Sequence, residues 1–229
     1  MGGALAATLG SLLYPAMLGV QKVGSAPERV IATPATGPLT EADRDFVVEV
    51  RAAGLWEYPV GRTALRKGTT KAVRTAGEHL VEGHASLDAA CRNVAGQLGI
   101  TLPNQPSPQQ QGFVATLNAD SGTQFDTDMT TTVRAADGLL LSTIASVRTT
   151  TRNSLVRSLA DQANGTVLDE ITVLEKTGQV DFGQVLVQEN TASKLPAQDV
   201  TPPPPAAGEP QVALTPPTTS TRSPSPSTG

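Results

Sequence analysis

Apolar residues recur every three to four positions through four long stretches of this chain, and in each stretch one ionisable residue stands on the apolar stripe. The first stripe is Phe46, Val50, Ala53, Glu57, Val60 and Ala64. The second is Val73, Ala76, Leu80, His84, Leu87, Cys91, Val94 and Leu98. Met129, Val133, Asp137, Leu140, Ile144 and Val147 form the third, and Val156, Ala160, Ala163, Val167, Glu170 and Leu174 the fourth. That spacing places each set on one face of a helix.

Local signals set the ends. Thr40-Glu41-Ala42-Asp43 is a start in which side chains satisfy the first free amides, and the first helix is expected to run to about Lys67, bent at Pro59. The second begins near Thr70 and stops at Gly99, a residue suited to the position just past a helix end. The third spans about Phe125 to Arg148. The fourth opens on Asn153, a good N-cap, and closes at Gly178.

Between the second and third helices, Pro103, Pro106 and Pro108 break the pattern, and Ser107-Pro108-Gln109-Gln110 predicts a short helix to about Ala119. A helix of about 12 residues plus about 14 extended ones reaches roughly 60 Å, enough to run the length of a bundle. The expected fold is therefore all-α: a ferritin-like up-down four-helix bundle with a long crossover between helices two and three. Counted from the two hairpin turns, Glu57 and His84 differ in height by roughly 6 Å, and Asp137 and Glu170 by a similar amount, so the four side chains can converge.

The flanks have other compositions. Met1 to Gln21 carries no charge and is rich in Ala, Leu and Gly, with Lys22 after it and the small residues Gly24-Ser25-Ala26 beyond. Residues 1 to 26 thus predict a signal peptide or N-terminal membrane anchor, with membrane association through residues 2 to 21. Residues 27 to 38 are expected as a linker, 39 to 178 as the bundle, and 179 to 189 as a short arm or strand around Val180, Phe182, Val185 and Val187. Ten of the 18 prolines fall in Pro196 to Pro226, which predicts a disordered Pro/Ser/Thr tail over 190 to 229.

Charge excludes one class of function. A net charge of -4, with no basic cluster longer than Arg66-Lys67, lacks the footprint of nucleic-acid binding. Cys91 is the only cysteine, so no intrachain disulfide forms, and its place on the second stripe reads as a small core hydrophobe. With two histidines and no Gly-rich phosphate loop or serine elbow, no catalytic residue is assigned.

The chemistry rests with Glu57, His84, Asp137 and Glu170. A buried charge must be paired, neutralised or bound to a cation. Three carboxylates and one imidazole suit a divalent iron, manganese or zinc ion better than copper(I), which prefers sulfur. Against an oxygen-activating di-iron centre, no Glu-x-x-His pair occurs: Val81 stands three residues before His84, and Ala76 three before His79. The competing reading pairs His84 with one carboxylate while the other two lie nearer the ends of the bundle or hold a shared proton, with raised carboxyl pKa values relieving the charge without metal. His79, beside the stripe, is a weaker candidate.

The segments Asp45-Phe46-Val47, Gly54-Leu55-Trp56-Glu57, Ala76-Gly77-Glu78-His79-Leu80-Val81-Glu82-Gly83-His84, Leu98-Gly99-Ile100-Thr101-Leu102-Pro103, Phe125-Asp126 and Val167-Leu168-Asp169-Glu170-Ile171 resemble the bacterial DUF4142 family. The resemblance covers about Leu39 to Gly178. It implies an exported, ferritin-like bundle in the cell envelope and supplies no established activity. The family pattern usually has histidine where this chain has Asp137 and Glu170, so nitrogen donors are replaced by oxygen. The expected function is a non-catalytic envelope or stress-associated module; the alternative is a metal-binding protein using Glu57, His84, Asp137 and Glu170.

Overall fold

The computed structural model describes residues 29–190 and 195–216. The expected export segment, and the tail from 217 onward, lie outside the described residues. Among the described residues the fold is all-α apart from one strand pair. β1 (Val30–Ala32) and β2 (Leu39–Thr40) pair antiparallel, where the sequence pattern predicts only a linker up to residue 38. α1 (Glu41–Lys67), α2 (Lys71–Leu98), α4 (Gly122–Thr150) and α5 (Ser154–Glu175) are the long helices, and α3 (Pro108–Ala119) lies within the crossover. Two short helices follow, α6 (Phe182–Asn190) and α7 (Ala197–Val200).

The predicted caps are present. Thr40 accepts from the Asp43 amide while the Asp43 carboxylate accepts from the Thr40 amide, and Ser107 and Gln110 make the same reciprocal pair at α3. Such a box satisfies two amides that the helix itself leaves free. Gly99 closes α2 at φ 68°, in the left-handed region that glycine enters without a Cβ penalty. Pro59 lies inside α1, which continues on both sides of it. Val180 to Val187 form neither strand nor bare arm: α6 packs on α4, with Val185 buried.

α1 pairs with α2 and α4 with α5, and the hairpins meet through α2 against α5 and α1 against α4. Polar contacts at the two ends fix the directions. The Asp126 carboxylate, near the start of α4, accepts from the Thr69 amide in the α1–α2 turn at 3.1 Å. At the other end Asn153, in the α4–α5 turn, donates to Thr36 and Gly37 beside the start of α1. α4 therefore starts where α1 ends, and the crossover carries the chain from one end of the bundle to the other. Ferritin-like bundles use this long connection too.

Every residue of the four stripes is buried except Leu98, which is partly so. The apolar core comes in two blocks. One gathers Phe46, Val50, Leu87, Cys91, Leu140, Ile144, Leu159 and Val167 at the β-strand end; the other gathers Trp56, Val60, Leu80, Phe125, Met129, Val133 and Leu174 at the α1–α2 turn end. Between the blocks lie the four ionisable residues. Burial pushes the Cys91 thiol up to about 12, as befits a core residue without chemistry.

Close approach of α1 and α2 is made possible by a glycine pair. A Cβ on Gly61 would stand 2.8 Å from the Leu80 Cβ, and one on Gly77 would stand 2.8 Å from both the Ala64 Cβ and the Gly61 carbonyl oxygen.

Within the stretch expected as a tail, residues 210 to 215 make polar contacts with the bundle. Asn104 donates to the Pro210 carbonyl and accepts from the Val212 amide, Arg51 donates to the Val212 carbonyl, the Leu214 amide donates to Asp88, and Tyr58 donates to the Thr215 carbonyl. The segment has few apolar side chains, but its backbone finds polar partners on α1, α2 and the crossover.

Candidate metal centre

One residue comes from each long helix: Glu57 from α1, His84 from α2, Asp137 from α4 and Glu170 from α5. None is more than 1% exposed. They occupy the stripe positions that helical periodicity gives them, so each points into the bundle at the level where the two apolar blocks meet.

His84 Nε2 lies between two carboxylates, 2.7 Å from Glu57 Oε2 and 3.5 Å from Glu170 Oε1. Glu57, His84 and Glu170 each present one donor atom, all within 4.8 Å of one another. Asp137 shares the layer but not that close set. It acts through its charge: ionised, it raises the Glu170 carboxyl and partly supports a charge on His84.

Burial dominates the protonation of all four. It pushes the Glu57 carboxyl well up, and it raises Asp137 and Glu170 likewise, with the neighbouring carboxylates adding to both. The same burial lowers the His84 imidazole to about 4, against some help from Asp137. In the metal-free bundle at neutral pH the imidazole is therefore neutral, and burial favours the protonated form of the carboxyls. An ion pair between Glu57 and His84 would place two charges in a layer where desolvation outweighs their attraction.

The hydrogen bonding of this layer is incomplete. His84 Nδ1, both oxygens of Asp137 and both oxygens of Glu170 are buried without a hydrogen-bond partner. More than about nine in ten buried polar groups in proteins have one, and here five unpartnered atoms share a single layer. Gly83 lets Glu170 into the layer, and Gly54 borders it. A Cβ on Gly83 would lie 2.7 Å from Glu170 Oε1, and one on Gly54 would lie 3.5 Å from His84 Nδ1.

The donor set and separations fit a small divalent ion. Two donors about 2.1 Å from one tetrahedral ion stand roughly 3.4 Å apart. His84 Nε2 and Glu170 Oε1 are already at that distance. Glu57 would need to withdraw by less than about 1 Å to join them. His79 is elsewhere, its Nδ1 2.5 Å from Asp169 on the exposed face of α2 and α5.

A second buried polar group escapes the stripe pattern. Arg51 and Asp88 form an ion pair with side chains no more than 1% exposed. Arg51 also donates to the Pro103 carbonyl, and Asp88 accepts from Arg92. Both residues directly follow stripe residues, Val50 and Leu87, on the flank of the α1–α2 seam. The sequence signal that could have exposed them is a second, narrower register: Val47, Arg51, Leu55 on α1 and Val81, Asp88, Ala95 on α2, all buried.

Fold and layer together define a four-helix bundle protein with a buried carboxylate and imidazole centre. The chain belongs to the family described as domain of unknown function DUF4142, whose pattern matches residues 28–175. No curated protein and no solved structure matches it. Among the described residues, no helix is long and apolar enough to cross a membrane.

Proposed function

We propose that this bundle binds a divalent transition-metal ion through Glu57, His84 and Glu170, with Asp137 balancing charge from within the same layer. The observation that carries this reading is the group of five unpartnered buried atoms around a histidine nitrogen already flanked by two carboxylates. A cation would supply the missing partner to Glu170 and the missing countercharge to three carboxylates. Oxygen and imidazole donors favour iron, manganese or zinc. Residues 2 to 21 support export as the setting, consistent with a metal-holding envelope module.

A second reading has an observation of its own. The 2.7 Å hydrogen bond between His84 and Glu57 serves a metal-free bundle, with the other carboxyls kept neutral by burial. Elemental analysis of the full chain after loading with Fe(II), Mn(II) or Zn(II) and desalting separates the two. About one ion per chain, lost in His84→Ala and in Glu170→Gln, is expected. Background metal in the unsubstituted protein after all three loadings overturns the metal reading.

A further inference from the structure

Above the seam of α1 and α2, residues 210 to 215 run as an extended segment whose inner face is read by side chains of the bundle. Three of the contacted residues, Pro210, Val212 and Leu214, alternate along the segment as the two-residue period of extended chain allows, and Thr215 adds a contact at its end. Asn104 engages the segment twice, at 3.1 Å to the Pro210 carbonyl and 3.0 Å from the Val212 amide, and Arg51 donates to the Val212 carbonyl at 2.7 Å. Asp88 accepts from the Leu214 amide at 2.9 Å, and Tyr58 closes the far end on the Thr215 carbonyl at 2.7 Å. These partners are backbone atoms of the segment. The bundle thus holds a binding groove for an extended, uncharged peptide.

The groove lies beside the centre. A Cβ placed on Gly54 would meet Leu214 Cδ1 at 3.3 Å and His84 Nδ1 at 3.5 Å, so the leucine and the unpartnered imidazole nitrogen bound the same small space. Leu214 is half-buried while its neighbours Ala213 and Thr215 are exposed. Its side chain thus stands beside a buried nitrogen that has no hydrogen-bond partner. The family match ends at residue 175, so the segment lies outside the matched region.

We propose that residues 210–215 form a detachable strap that occupies the peptide groove of Arg51, Tyr58, Asp88 and Asn104, and that its release opens the Gly54 side of the Glu57–His84–Glu170 centre to water and to metal exchange. The exchange part rests on the metal reading above; the access part does not. A segment held by a handful of surface hydrogen bonds opens far more often than the bundle unfolds. Nδ1 then gains a water partner, the outer contact that a metal-bound histidine ordinarily makes.

Three proteins decide the matter: the full chain, the chain ending at residue 208, and full-length Leu214→Ala, which keeps the backbone contacts and guards against misfolding of the truncated form. In the first measurement the metal-free proteins are treated with diethylpyrocarbonate, and modification of His84 is followed by mass spectrometry against His79 as internal reference. His84 should stay unmodified in the full chain and react in both variants. Equal protection of His84 in all three overturns the strap, whether or not metal binds. In the second, the zinc-loaded proteins are mixed with excess EDTA, and zinc release should be at least about ten-fold faster without the strap. Equal release rates overturn its control of exchange. Failure of every form to load zinc, iron or manganese overturns the metal reading alone, because the labelling result still judges access.

Discussion

Metal-free protein should lose stability as pH rises from 6.5 to 8, and the slope measures the protons held in the polar layer. Burial raises Glu57, Asp137 and Glu170. A carboxyl raised in the fold holds its proton where the unfolded chain has lost it, so its stabilising contribution is complete at low pH and drains away as pH climbs towards the folded value. Each such proton changes stability by about 1.4 kcal/mol per pH unit, or about 2 kcal/mol between pH 6.5 and 8. Against a total stability of about 5 to 15 kcal/mol, one proton is measurable and two are conspicuous. His84 works in the opposite direction: the unfolded imidazole, half-protonated at 6.5, has lost its proton by 8 while the buried one is neutral throughout, which adds back about 0.4 kcal/mol over that window. Below 6.5 the unfolded imidazole is protonated while the buried one refuses a proton until about pH 4, so His84 offsets one carboxyl in full and the curve should be shallower on the acid side.

Urea denaturation in EDTA at closely spaced pH values, read by circular dichroism, gives the slope. Glu170→Gln, which has the same shape and no titratable proton, should reduce it by about 1.4 kcal/mol per pH unit wherever the Glu170 carboxyl stays protonated in the fold. Burial raises Glu49 as well, but it is common to both proteins and drops out of their difference. Saturating zinc should flatten the dependence, since a bound ion needs its carboxylates already deprotonated and the added stabilisation grows with pH. Stability independent of pH from 6.5 to 8 in EDTA, or an unchanged slope in Glu170→Gln, would refute the protonated layer and with it the physical basis of the centre.

Two substitutions probe the surroundings of the layer. Gly83→Ala places a methyl 2.7 Å from both Glu170 Oε1 and Thr166 Cγ2; it should cost about 1 to 3 kcal/mol in urea denaturation and lower zinc occupancy, and an unchanged midpoint would show that α2 and α5 are not packed this closely. Asp88→Ala strips the buried Arg51 of its carboxylate and should destabilise by about 3 to 5 kcal/mol, a loss that a cost below about 1 kcal/mol would contradict.

The bundle was legible because four helices bury their stripes by a period that sequence displays directly. Glu57, His84, Asp137 and Glu170 each stood out as the one polar interruption of such a stripe, and burial of all four follows from the same arithmetic. Which of them converge was less accessible. Asp137 carries one methylene fewer than the glutamates, and helical height alone cannot tell that its oxygens stay outside the close set. Arg51 and Asp88 were missed for a different reason. They sit one residue off the stripe, where a charged residue ordinarily faces water, and here they meet the crossover at Pro103 and the strap at Val212 and Leu214. The strap itself was invisible to composition. Composition counts apolar side chains, whereas this segment is held through its carbonyl and amide groups by Asn104, Arg51, Asp88 and Tyr58.

Stability alone is a poor reason for the layer. Replacing buried ionisable groups with apolar ones of similar volume is often neutral or stabilising, and the two apolar blocks on either side offer ready models for such a filling. A single polar residue can fix the register of packed helices, but four of them, with five unpartnered atoms, exceed what register requires. The helices also carry glycines at this level. Gly54 and Gly83 lie in helix interiors, where glycine costs about 1 kcal/mol relative to alanine, and at Gly83 the volume that a Cβ would need is taken by Glu170 Oε1 at 2.7 Å. Polar groups without partners and a glycine that lets one of them into the layer are two separate costs. A ligand positive enough for those oxygens accounts for both at once, and a strap over the Gly54 side would decide when it enters.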